Sequence, residues 1–217
     1  MIRLATALVL AATPALAASD PLETVNRQVH TFNLLTQQHV LRPMAQAYTA
    51  WTPAPVRRGV ANALANLGEP VTAASALLAG DVTLATYAAA RFGINTTLGY
   101  AGVRDAAVGM GYPPARMGVA DALCRWGVPS GPYLVLPFLG PSTLRDASAT
   151  LATSLALAQA LGTDAVLAWN TATAWTEYAA HHPALDQTTT QALDSYATWR
   201  SIYRQRRAVA CGGDDDE

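Results

Sequence analysis

Residues 127–141 read Gly-Val-Pro-Ser-Gly-Pro-Tyr-Leu-Val-Leu-Pro-Phe-Leu-Gly-Pro, and this stretch narrows the possible folds more than any other. Its four prolines and three glycines forbid a regular helix or a central strand. It nevertheless carries seven large apolar or aromatic residues and no charge. A loop that apolar does not face water. It is packed into the core, lines a groove or dips into lipid. On either side of it, Pro and Gly punctuate segments of helical periodicity, and alternating strand patterns are scarce. The chain is therefore expected to be all-α, a single domain made of a ring or bundle of amphipathic helices with a Gly/Pro-rich apolar loop.

The helix signals are local. Asp20-Pro21-Leu22-Glu23 combines a capping Asp, a Pro suited to the first helical position and a Glu three residues after the cap. Leu22, Val25, Val29 and Phe32 then mark one face, and Pro43 interrupts this helix. A second helix is expected from Pro55, with Val56, Val60, Leu64 and Leu67 as its stripe and Gly68 with Pro70 as its stop. Arg57 and Arg58 sit in its first turn, where cations oppose the helix dipole; a partner anion or solvent screening would offset that. Further helices are expected over 71–79, 81–92 and 114–126. Ser142 is expected to cap a helix that reaches Leu161 and stops at Gly162, followed by helices over 164–180 and 185–209.

The first seventeen residues have a short positive start at Arg3, an apolar run too short to span a bilayer and an Ala15-Leu16-Ala17 cleavage site. Residues 1–17 are thus expected to be a signal peptide and residues 18–210 the helical domain, with residues 211–217 a disordered acidic tail. No Cys follows the apolar run, so no lipid anchor is expected. The chain is 51% hydrophobic but 13% charged, about half the usual charged share. Low charge without a spanning segment suits helices lying at a membrane interface. An Ala-rich soluble bundle would share that composition. A net charge of −1 gives no electrostatic case for nucleic acid. Cys124 is expected to be free and buried, with a bridge to Cys211 as the alternative. Neither the four histidines nor any other motif offers metal spacing, a cofactor loop or a nucleophile with its base, so no cofactor, metal site or enzymatic activity is expected. Arg145-Asp146 opens a helix in structural roles, as cap and ion pair.

Five segments, in order, resemble the MlaA (VacJ) family of outer-membrane lipid-transport proteins. They are Asp20-Pro-Leu-Glu with Asn26-Arg27, Phe32-Asn33 and Leu41-Arg42-Pro43; Pro55-Val-Arg-Arg-Gly-Val with Asn66-Leu-Gly-Glu-Pro70; and Arg91-Phe-Gly-Ile-Asn95-Thr-Thr-Leu-Gly99. The fourth is the apolar loop continued through Ser142-Thr-Leu-Arg145-Asp146, and the fifth is Asp194-Ser-Tyr with Tyr203-Arg-Gln-Arg-Arg207. The resemblance implies a ring of helices in the inner leaflet of the outer membrane, enclosing an amphipathic channel. Phospholipids misplaced in the outer leaflet would enter that channel and pass to a periplasmic carrier protein, beside a trimeric outer-membrane porin. It also implies a gating role for the region of Thr31 and Phe32. The loop residues Tyr133, Leu134, Val135, Leu136, Phe138 and Leu139 are the expected lipid path, with burial in the core as the alternative. Localisation is expected on the periplasmic side of the outer membrane, loosely attached if no lipid anchor exists. The other functional reading is a structural, porin-associated envelope protein that moves no lipid.

Overall fold

The computed structural model describes residues 20–212; the expected signal peptide and residues 213–217 of the expected tail lie outside them. The described residues form helices and one hairpin, joined by turns and loops. Helix α1 (Glu23–Thr36) runs through a π-helical segment (Gln37–Leu41) into α2 (Arg42–Trp51). Pro43 has no N–H for the helical ladder, and the π-helical widening lies directly before it. Pro43 therefore widens the expected helix without ending it.

Helix α3 (Ala54–Leu78) is longer than expected, because neither Gly68 nor Pro70 stops it. Gly68 lies against helix α8 (Thr163–Gln191), where a Cβ would stand 3.8 Å from Trp169 Cζ2. Packing on α8 thus outweighs the local signal to stop. Arg57 needs no outside anion: its Nη1 donates to the carbonyls of Thr49 (2.6 Å) and Thr52 (2.8 Å), closing the C-terminal end of α2. Then follow α4 (Val82–Thr97), capped by Asp81, the single turn α5 (Ala106–Gly109) and α6 (Val119–Arg125). Strands β1 (Tyr133–Leu136) and β2 (Gly140–Thr143) pair antiparallel, with Tyr133 opposite Thr143 and Leu136 opposite Gly140. Thr143, one residue later than expected, caps α7 (Leu144–Leu161), and Gly162 ends it at φ +88°. Helix α8 (Thr163–Gln191) continues through Pro183, so the expected break near residue 181 falls instead at Ala192–Asp194, before α9 (Ser195–Ala210).

The helices close a ring. Helix α3 packs on α6, α6 on α7, α7 on α8 and α8 back on α3, while α4 lies along α3. The hairpin sits at one side, with β1 on α1 and β2 on α7 and α9. Cys124 and Cys211 are joined by a disulfide across a Cα–Cα distance of 5.4 Å, so Cys124 is not free and Cys211 is not in a loose tail. The helix α9 delivers Cys211 to the end of α6, a juxtaposition that sequence separation conceals.

Burial is inverted relative to a water-soluble bundle. The buried hydrophobic residues are mostly alanines, while Asn26, His30, Asn33, Asn66, Glu69, Arg91 and Asn95 are buried too. The expected apolar stripes largely face outward: Val56, Val60 and Leu67 of α3, and Leu144, Leu151, Leu155 and Leu161 of α7, are all exposed. Apolar surface of this extent on a single chain marks a lipid or protein contact.

Candidate functional site

A partly open cavity of about 460 Å³ lies between α3, α4, residues 114–118 and α8. One wall is apolar, formed by Ala61, Leu64, Ala65, Val71, Met117 and Trp169. The Trp169 indole N–H donates to the Leu64 carbonyl (3.2 Å), which fixes the ring against α3. A second space of about 210 Å³ shares Val71, Gly118 and Trp169 with the first and continues along Ala149, Thr153 and Leu157 of α7.

The rest of the lining is polar, and Asn66, Glu69, Arg91 and Asn95 in it are buried. Asn66 and Glu69, three residues apart on α3, share one helical face. Arg91 of α4 reaches between carboxylates: its Nε donates to Glu69 Oε1 at 2.6 Å and its Nη2 to Asp105 Oδ2 at 3.1 Å, and its Nη1 donates to the Tyr112 carbonyl. Burial disfavours the Arg91 cation, but Glu69 and Asp105 overcome it and hold its pKa above the ordinary value. Asn95 accepts from the Ala107 N–H (2.9 Å) and Asn66 donates to Thr96 Oγ1 (2.9 Å). Gly102, at φ +87°, lets the chain pass close to Asn66; a Cβ there would stand 2.7 Å from Asn66 Cβ. Glu69 Oε2 and Asn66 Oδ1 are buried and accept no hydrogen bond from the described residues.

The sequence assigned none of these residues to the site, although the signal was present. Asn66 and Glu69 stand three apart in an Ala-rich helix, and Arg91 and Asn95 four apart in the next one. Polar residues at helical spacing on apolar helices face each other across an interior.

The expected lipid-path residues divide by strand alternation. Tyr133 and Val135 point inward and pack with Tyr196, Val29 and Tyr203. Leu134 and Leu136 are half-buried, and Phe138 and Leu139 at the turn are exposed. Burial pushes the Tyr133 phenol up to about 12. Two asparagines of α1, seven residues apart, hold the free edge of β1 as a neighbouring strand would. Asn26 Nδ2 donates to the Tyr133 carbonyl and its Oδ1 accepts from the Val135 N–H, both at 2.9 Å. Asn33 Nδ2 donates to the Leu136 carbonyl (2.9 Å) and its Oδ1 accepts from the Phe138 N–H (2.8 Å). Phe138 adopts φ +65°, a conformation a bulky residue keeps only when its surroundings hold it. Its ring meets Phe32 edge to face at 5.3 Å. Thr31 is exposed and its hydroxyl donates to the Arg27 carbonyl. Of the two residues expected to gate the path, Phe32 thus touches the hairpin tip while Thr31 is engaged within α1.

Behind the hairpin, Asp146 lies among Arg145, Arg207 and Tyr203, and Arg207 Nε approaches its Oδ2 at 2.9 Å. These contacts fill the ion-pairing role expected of Arg145 and Asp146, while the capping role falls to Thr143.

The sequence model of the MlaA lipoprotein family matches residues 18–210. The intermembrane phospholipid transport system lipoproteins MlaA of Shigella flexneri and Escherichia coli K12 are each 35% identical over 212 residues, 90% of this chain and 80% of theirs. A solved structure bearing on the maintenance of bacterial outer-membrane lipid asymmetry superposes with a TM-score of 0.78 at 30% identity. It covers 89% of this chain and 99% of that one. No described helix is long and apolar enough to cross a membrane. By sequence over its helical domain and by fold, this chain belongs to the MlaA lipoprotein family.

Proposed function

We propose that this protein removes phospholipids from the outer leaflet of an outer membrane and passes them to a periplasmic carrier, breaking no bond. The observation that carries this reading is the ringed cavity, apolar on one wall and charged on the other, inside helices whose outer faces are apolar. The larger space suits a headgroup and the adjoining apolar space an acyl chain. The outward stripes suit immersion at leaflet depth. They also suit packing against a porin trimer, which makes a porin-bound structural role the competing reading. Co-purified phospholipid distinguishes the two, because a scaffold has no reason to retain it.

Within this reading the apolar loop has two jobs. Tyr133 and Val135 seat the hairpin in the protein. Leu134, Leu136, Phe138 and Leu139 remain for lipid contact, and the Phe32–Phe138 contact beside Thr31 is the gate. The exposed apolar stripes of α3 and α7 supply the membrane attachment proposed here. Mild detergent should release the protein from envelopes while high salt should not.

The experiment is a strain lacking this protein, with surface phosphatidylethanolamine labelled by a membrane-impermeant amine reagent. Surface lipid should rise and the outer membrane should become sensitive to detergent. An unchanged surface lipid level would overturn the proposal.

A further inference from the structure

The polar wall of the cavity is unbalanced in both charge and hydrogen bonding. Glu69 and Asp105 bring two carboxylates to the single guanidinium of Arg91, which leaves one negative charge over. The remaining charged lining residue, Arg116, is exposed and neutralised by Glu177. The side chain of Glu69 is 7% exposed. Its Oε2 and the Oδ1 of Asn66 are acceptors without a donor among the described residues, and both residues line the cavity. Buried acceptors left unpaired are costly, so a wall of this kind is built for something that brings donors. A metal ion is a poor match, because Arg91 already sits between the two carboxylates. At about 460 Å³ the space lies within the usual range for a small-molecule site.

We propose that this wall selects a primary ammonium, with Glu69 Oε2 and Asn66 Oδ1 accepting its N–H groups. The inference rests on the phospholipid reading above and gives it a headgroup preference: a zwitterionic lipid ending in –NH3⁺, such as phosphatidylethanolamine. A phosphatidylcholine headgroup brings the charge but no N–H donor. A phosphatidylglycerol headgroup brings hydroxyl donors but no cation. Both leave the wall less well satisfied, the first in hydrogen bonding and the second in charge.

The test uses the full chain, extracted in mild detergent and equilibrated with vesicles containing equal amounts of phosphatidylethanolamine, phosphatidylcholine and phosphatidylglycerol. Captured lipid is identified by native mass spectrometry. A hydrogen bond to a charged group is worth about a tenfold preference or more. The wild-type protein should therefore carry phosphatidylethanolamine over phosphatidylcholine by about that factor. Glu69→Gln keeps an acceptor for Arg91 but removes the charge, and should bring the ratio close to one. Asn66→Asp adds a carboxylate to the wall and should keep or raise the ratio. Equal capture by wild type, or an undiminished ratio in Glu69→Gln, overturns the proposal. Should Glu69→Gln fail to fold, the wild-type ratio alone decides. A parallel arm measures thermal stabilisation by free ethanolamine. Stabilisation without any lipid capture keeps the ammonium site and removes the lipid reading. Lipid capture without preference removes the site and leaves the lipid reading standing. Neither stabilisation nor capture removes both.

Discussion

The hairpin end and the ring cavity both bury polar side chains, and they treat them differently. At the hairpin, Asn26 and Asn33 spend donor and acceptor alike on the backbone of β1, leaving the amides fully partnered. In the cavity, Asn66 and Glu69 each keep an acceptor that the protein does not answer. Full pairing fixes a structure; buried acceptors left unpaired in residues that border a cavity mark where a ligand's donors would be met. The hairpin thus serves as a rigid wall beside the lipid space, packed on α1, α7 and α9 with an exposed tip, and the ring as the place where something is held.

The disulfide ties these two regions together, and breaking it gives the largest expected effect. The loop between Cys124 and Cys211 spans 87 residues. Chain entropy for a loop that long puts the loss from Cys124→Ser at about 4–5 kcal/mol, read as a fall in thermal midpoint that reductant reproduces in the parent and not in the variant. Next is Arg91→Leu, which strands Glu69 and Asp105 beside the cavity and should cost about 3–5 kcal/mol. Neutralising all three residues together should cost less than Arg91→Leu alone, which would separate a stranded charge from lost packing.

On the hairpin side, Asn26→Leu leaves the Tyr133 carbonyl and the Val135 N–H unpaired, at a cost of about 3 kcal/mol by urea denaturation. Bound phospholipid should fall far less than stability does. If lipid is lost in proportion, the division between wall and binding site fails. The effect of Leu134→Asp should be smaller than that of burying a charge outright, since Leu134 is only half-buried. Melting and bound lipid measured on the same variant would show which the position serves.

The smallest effect is one of pH, and it belongs to the hairpin end. Burial, with the charge of Arg27, lowers His30 below its ordinary value despite the opposing pull of Asp194. The hydrogen bond from Arg27 lowers Asp194. Burial works against ionisation of Asp20, but hydrogen bonds from Tyr196, Asn26 and the Leu22 N–H outweigh it and hold its carboxyl below the usual range. A lowered folded-state pKa means that the unfolded chain binds more protons, so each group stabilises less as pH falls. The His30 contribution is complete above about 6.5 and declines below it; those of Asp20 and Asp194 decline below about 4. Hydrogen exchange at pH 5 should therefore accelerate at the hairpin before it accelerates in α3 and α4.

How much of this the sequence disclosed depends on whether the deciding contact was local. The stop at Gly162, the Pro43 irregularity and the helical class follow from neighbouring residues, and they were legible. The expected cap at Asp20 is not formed: α1 begins at Glu23 after Leu22, and the Asp20 carboxylate accepts instead from the Leu22 N–H and from Asn26. The continuity of α3 through Gly68 and Pro70 was not, because packing on Trp169 decides it. The split of the apolar loop into inward Tyr133 and Val135 and outward Phe138 required knowing that it forms a hairpin clamped by Asn26 and Asn33. The cavity required four residues from two helices to meet, and the disulfide required α9 to return to α6. In each case a long-range contact overrode or completed what the local pattern offered.

The central claim is that lipid is held in the ring while the hairpin is a rigid wall beside it that lines neither space. A phospholipid carrying a photoactivatable group at the glycerol end tests it most directly, with cross-linked residues mapped by mass spectrometry on the protein in envelope membranes. The account predicts labelling within residues 61–72, 114–118 and 169–173, competed away by unlabelled phosphatidylethanolamine. Labelling confined to the outer stripe of Leu151 and Leu155, or to Phe138 and Leu139, with none in those segments, would contradict it.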